Sequence, residues 1–503
     1  MATGNAPSSP RQPRSNRMNI LALAFSLALS YALLYACNNN TQEAAAKSDT
    51  AASAAPGFPA PVFSWKIPAD VAIPNGFPGN PIAFFDDYSW QTFLALAWPA
   101  LNQHRGEPDT SQTLFATGPR VFETYKMLNE VFPKDTSGIP APWNEYDTAN
   151  PCGQKLSFGQ VSLADYSKFG DLAQAGFFGA QLGPLPAQNK TYTRFLTSFN
   201  KTEFDKIVDE KLYLNSFLPR ETSTDTVNFP NGSIDIKTAW IDMEGVAHPE
   251  RYYTDTALVL DAETGQCARK KVGLVGIHIV QKTASRPQWI WSSFEQVDNI
   301  PQDGAQSPLA FHDNGNTAMP ARNPIRFPPA FPVPAIFNVD RQKPVASSTQ
   351  TTNGLYQKAI RDRNPQSVWQ FYQLVMTQWP LQLDANPIPA SQSGTDAFTF
   401  PGSIDTTSSF ANLTMETFEQ RVNTVVGFGC MNCHDATKQT DFIWSLRDHA
   451  APSRFITQRL HGARLVAPVP PPPPGKALTR LRNILEGAVP HGVVPHGAVP
   501  PKK

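Results

Sequence analysis

Four consecutive segments between residues 233 and 297 limit what this chain can become more than any other part of it: "SIDIKTAWI", "RYYTDTALVL", "KVGLVGIHIVQK" and "PQWIWSSFEQV". Each is dense in β-branched and aromatic residues. The first alternates Ile234, Ile236, Thr238 and Trp240 on one side, the period-two pattern of a half-buried strand. Only short polar connections separate them, which suits strands paired antiparallel rather than helical crossovers. In the third segment Leu274, Gly276, His278 and Val280 are expected on one side; in the fourth, Trp289, Trp291, Ser293 and Glu295. Helical candidates flank this region at 86–100, 119–133 and 364–380, the first stopped by Pro99. The fold class expected is therefore α+β, a central antiparallel β-sheet at about 230–300 with helices around it. The 48 prolines among 503 residues are roughly twice the usual share, so extended connections must be long.

Basic and acidic residues number 42 each, with no long run of either sign, so nucleic acid is not an expected partner. At the N-terminus Arg11, Arg14 and Arg17 precede an uncharged apolar run from Ile20 to Ala36, the layout of a secretion signal. Its ending, Leu34 to Cys37 ("LYAC"), resembles the lipobox of bacterial lipoproteins. That resemblance implies a signal peptide over 1–36 and a lipid on Cys37 that anchors the chain to a membrane. An uncleaved membrane anchor is the other reading, and both put the body outside the cytoplasm. Asn38 after the cysteine, by the same resemblance, points to the periplasmic side of the outer membrane. Cleavage would remove three arginines and no acid, leaving a net charge of −3. Residues 37–61 are small, polar and Pro-containing and read as a flexible tether.

Chemistry concentrates at "GFGCMNCHDATKQTDF", 427–442, where Cys430 and Cys433 are followed directly by His434. C-x-x-C-H is the pattern for covalent attachment of a c-type haem. Two thiols three apart can reach the vinyl groups on one porphyrin edge, and the next imidazole can then turn under the iron. A redox C-x-x-C would want a βαβ setting, and a structural zinc site would want a second spaced pair of ligands; the sequence offers neither. These residues resemble the c-type cytochromes, which implies haem c as cofactor, thioether bonds at Cys430 and Cys433, and His434 as proximal iron ligand. Upstream, Met415, Phe418, Val422 and Val425 mark one face of an expected helix, which Asn412 or Thr414 can cap.

Small cytochromes of this kind take a second axial ligand, usually Met, from downstream, but no methionine follows Met431. The body upstream is therefore expected to complete the pocket. His278, in an apolar strand and preceded by two glycines, is the first distal candidate, with Met376 and Met415 behind it; the alternative is a buried histidine bonded to Glu295 or to backbone. Cys152 and Cys267 are expected to form a disulfide in an exported chain, two buried thiols being the alternative. The organisation expected is an α+β body at 62–400, a mostly helical haem c segment at 401–465 packed on it, and a Pro-rich disordered tail at 466–503. Segments such as "WQTFLALAWP" and "WIWSSFE" resemble those of cytochrome c family lipoproteins over much of 80–450, a resemblance that brings no substrate with it. The function expected is a membrane-tethered monohaem electron carrier with a redox partner protein. The alternative is a haem enzyme, peroxidase- or oxidase-like, with an open or displaceable distal site.

Overall fold

The computed structural model describes residues 57–75, 77, 81–132, 139–146, 150, 152–163, 184–220, 225–261, 264–313, 333, 338–379, 411–417, 420 and 434–449. Cys37, Cys430, Cys433 and the expected tail lie outside them.

An eight-stranded sheet organises the described residues: β1 (Lys126–Met127), β2 (Ser162–Leu163), β3 (Arg194–Phe199), β4 (Ile234–Asp242), β5 (Thr254–Leu260), β6 (Cys267–Gln281), β7 (Ile290–Gln296) and β8 (Tyr372–Gln378). Its main path runs β1-β3-β4-β6-β5-β2, and β7 joins β6 to β8. All pairs are antiparallel except the short parallel pair β2 and β5, so the sheet is mixed where a wholly antiparallel one was expected. The expected strands become β4 to β7, but β4 pairs with β6 rather than with its successor β5. The 15-residue β6 makes this possible. One edge takes β4, while β5 and β7 share the other edge end to end, at 267–273 and 276–281.

Other expectations need correction too. The segment 364–380 is not a helix; one 3₁₀ turn (Val368–Phe371) leads into β8. Almost all of β8 is buried, so it lacks polar alternation and reads as an undifferentiated apolar run. In β6, a bulge where Ala239 pairs with Gly276 but Trp240 pairs with Leu274 reverses the side-chain parity. Leu274 therefore joins Ile277 and Ile279 in the large aromatic core, while Gly276 and His278 face the other way.

That core lies between the sheet and two helices, α1 (Ile82–Leu96) and, later in the chain, the long helix Ser347–Arg363. Trp90 of α1 stacks on Tyr356 with ring centroids 5.0 Å apart and donates its indole N–H to Asn353 at 2.9 Å. Phe93 stacks on Phe294 of β7 at 4.4 Å. Buried polar groups fix the register of these layers. Asp86 accepts from Thr349 and from Thr377 of β8, both at 2.8 Å, and Asp87 accepts from the Tyr356 hydroxyl at 2.6 Å. The expected helix at 119–133 is broken into a 3₁₀ turn (Val121–Thr124), β1 and the short α2 (Leu128–Val131). The α3 helix (Lys201–Asp209), N-capped by Asn200, follows β3; the long helix is accordingly α4, and α5 (Trp444–His449) ends the described chain. Cys152 and Cys267 form a disulfide, Cα atoms 5.8 Å apart, at the start of β6. None of the described helices is long and apolar enough to cross a membrane.

Candidate functional site

The face of β6 opposite the aromatic core carries Gly276 and His278. Residues pairing directly across a sheet point to the same side. Lys237 of β4 and Ser293 of β7 therefore flank His278, and Met376 of β8 lies beyond Ser293. Trp291, opposite Val280, occupies the next row, where both belong to the large apolar cluster.

Segment 411–417 lies against this face. Asn412 donates from Nδ2 to Ser293 Oγ and to the Phe294 carbonyl, both at 3.0 Å, and the Leu413 amide donates to Glu295 Oε1 at 2.6 Å. The Asn412 side chain accepts from the Thr414 amide at 2.9 Å; most of the helix expected beyond it lies outside the described residues. Gly276 makes the approach possible. A Cβ there would sit 2.2 Å from Thr414 Oγ1 and 3.2 Å from Asn412 Oδ1. The same segment delivers Glu416, whose Oε1 lies 2.8 Å from His278 Nε2 while Oε2 accepts from the Asn412 amide at 2.9 Å. Burial works to raise the Glu416 carboxyl, yet His278, Lys237 and the Asn412 amide together bring it below its usual value. His278 thus has a carboxylate partner, though Glu416 and not Glu295. Glu295 is engaged by Arg341 and Leu413. Met376 is buried against Val345 and Val375, and Met415 is buried in a second apolar cluster with Leu413 and Val275.

His434 begins the turn 434–443. Its Nδ1 lies 2.6 Å from the Phe442 carbonyl oxygen. A carbonyl only accepts, so the proton of the neutral ring sits on Nδ1 and the lone pair on Nε2, the arrangement found when histidine serves as a metal ligand. Burial pushes the imidazole down to about 4, helped by Lys237 and His278 and opposed by the Phe442 carbonyl and Glu416, so the ring is neutral at pH 7. The Trp291 ring stands 4.5 Å from it, tilted by 58°.

The carbonyl is aimed by an unusual backbone. Asp441 and Phe442 have φ of 54° and 70°, left-handed values that non-glycine residues adopt at a cost of about 1–3 kcal/mol each. The surroundings hold the turn. Thr437 Oγ1 donates to the His434 carbonyl at 2.9 Å, and the Phe442 amide donates to the Thr437 carbonyl at 3.0 Å. The Phe442 ring is buried in the large core, and Asp441 Oδ2 accepts from Lys282 Nζ and from the Phe229 amide. Beside the turn a cavity of about 230 Å³ is lined by Arg220, Thr437, Thr440 and Arg447 among others.

Among the described residues no group of three or more His, Cys, Asp or Glu is arranged to hold a bare metal ion. A porphyrin makes a smaller demand, since its four nitrogens come with it and the protein need add one or two axial ligands. A neutral imidazole with Nδ1–H fixed by a carbonyl and no partner on Nε2 among the described residues fits that demand, as does the sequence spacing of Cys430 and Cys433 ahead of it. Sequence reasoning singled out His434 and His278, which lie near enough for His278 to act electrostatically on His434. It missed Glu416 as a partner of His278 and the Phe442 carbonyl as a partner of His434. No protein family, curated protein or solved structure matches the chain significantly.

Proposed function

We propose that this protein is a monohaem c-type cytochrome that carries electrons outside the cytoplasm, tethered to a membrane by a lipid on Cys37. Cys430 and Cys433 would hold the porphyrin by thioether bonds and His434 Nε2 would ligate its iron. When bound, the group supplies a one-electron couple. The observation that carries the reading is the His434 Nδ1–H to Phe442 hydrogen bond, because it commits the one nitrogen a haem does not need. This chain's residues would do the rest: the left-handed Asp441–Phe442 pair fixes the ring plane, and Trp291 closes one side of it. Expression with a haem c maturation system tests the proposal. Haem should survive acid-acetone extraction and should be lost or sharply reduced in Cys433→Ser; extractable haem, or loading indifferent to that substitution, would refute it.

A second reading, a haem enzyme with a displaceable distal site, is favoured by one observation. His278 is already bonded to Glu416, so a role as sixth ligand would require giving up that partner. Six-coordinate low-spin iron slow to bind cyanide supports the carrier, and high-spin iron reacting rapidly with peroxide supports the enzyme. The redox partner and the outer-membrane, periplasm-facing location belong to the same proposal.

A further inference from the structure

Behind the His434 turn lies a set of charged side chains, buried except for the half-buried Asp235, whose charges neither reading uses. Glu203, in the first turn of α3, is fully buried, and neither of its carboxyl oxygens has a hydrogen-bond partner. Asp235 of β4, Asp441 and Lys282 lie close enough to act on it electrostatically. Lys282 Nζ bonds Asp441 Oδ2 and Asn228 Oδ1. From outside the group, Lys206 acts on Lys282 and Lys237 acts on Asp235. Phe229 and Trp289 supply apolar walls, the Trp289 ring centroid 5.6 Å from Lys282 Nζ.

Lys282 bonds Asp441 and Lys237 acts on Asp235, so Glu203 is the carboxyl of the three that is buried with no hydrogen-bond donor. A carboxylate with no donor in an apolar enclosure is costly, so the group readily takes a proton when positive charge nearby falls. Glu203 meets that condition on geometry alone, so the cluster is a store of exchangeable protons. Its covalent route to the site is short: Asp441 is followed directly by Phe442, whose carbonyl holds His434.

We propose that the Glu203–Asp235–Asp441–Lys282 cluster takes up a proton when the centre beside His434 accepts an electron, and releases it on oxidation. The inference rests on the haem reading above. Reduction brings one electron from an external donor protein and lowers the positive charge of the centre by one. One proton from solvent then forms an O–H bond on a cluster carboxylate, and the local charge is restored. The coupling is electrostatic and reciprocal, so proton concentration must in turn shift the reduction midpoint.

The test uses the full haem-loaded chain, titrated by spectroelectrochemistry from about pH 5 to 9. For a one-electron couple, a tenfold fall in proton concentration should lower the midpoint by up to about 59 mV where the cluster titrates. Glu203→Gln and Asp235→Asn should flatten that slope, and Glu107→Gln, on an exposed loop, should not. Should a cluster variant fail to fold, redox-difference infrared spectra of the unmutated protein decide: a protonated-carboxyl band that shifts in D₂O should gain intensity on reduction. A midpoint independent of pH in protein carrying covalent haem would overturn this inference and leave the haem reading standing. So would a slope unchanged in both cluster variants, or an infrared difference spectrum without a carboxyl band. Protein that takes up no covalent haem would overturn both.

Discussion

Gly276→Ala tests how the site face is assembled. Gly276 lies opposite Ala239 on one side and Glu295 on the other, with no left-handed backbone, so the substitution asks a steric question only. The new methyl would stand 2.2 Å from Thr414 Oγ1, where ordinary contact begins at about 3.4 Å, and segment 411–417 would have to retreat by more than an ångström. Overpacking of this kind costs about 1–3 kcal/mol. Retreat also strains the buried bonds of Asn412 to Ser293 and Phe294, each contributing about 0.5–1.5 kcal/mol. We expect a total loss of about 2–4 kcal/mol in urea unfolding. Thr414→Ala removes the obstructing hydroxyl at a cost near 1 kcal/mol. In that background Gly276→Ala should cost about 1–2 kcal/mol less than it does alone. A Gly276→Ala cost below about 0.5 kcal/mol, or one identical in both backgrounds, would show that the two groups are not in contact as described.

Two further outcomes are expected. Burial lifts Asp86 to about 7, Asp87 to about 6 and Glu123 to about 8, so the folded chain binds protons that the unfolded chain has released. Stability from these groups is complete below their unfolded values near 4 and is lost as pH rises through 6 to 8, at about 1.4 kcal/mol per pH unit for each carboxyl titrating. Urea midpoints should fall across that window, and Asp86→Asn should make the fall shallower; midpoints rising from pH 5 to 8 would contradict the burial argument. Reducing the Cys152–Cys267 disulfide, which spans 115 residues, or replacing both cysteines with serine, should cost about 2–4 kcal/mol in the same assay. No change on reduction would place the bond's contribution elsewhere than in stability.

Much of the architecture was legible in local sequence. Strands β4 to β7 stood out because each presents a dense β-branched or aromatic run between polar turns, and α1 because its bulky residues end near Pro99. The bulge in β6 was not, since one residue added to a strand leaves every apolar letter in place while exchanging the faces. β8 was hidden by burial on both sides. At the site, side-chain identity was readable and partnership was not. His434 is conspicuous after a C-x-x-C pair, but the carbonyl that orients it carries no letter. Phe442 also departs from the usual preference of left-handed backbone for Gly, Asn or Asp. Glu416 reaches His278 across 138 residues, and only the packing of 411–417 against Gly276 brings them together.

The bond between Cys152 and Cys267 bears on the order in which the protein can mature. On the proposed function the same compartment must oxidise one pair of thiols while leaving Cys430 and Cys433 reduced until they are alkylated by the porphyrin. Neighbours three positions apart meet far more often in a floppy chain than partners separated by 115 residues. Left to chance, the oxidant would therefore seal the wrong pair first. The remedy available to this fold is timing: once Met127, Leu156 and Leu258 have packed together, Cys152 and Cys267 against that cluster are held side by side, and oxidation no longer depends on random encounter.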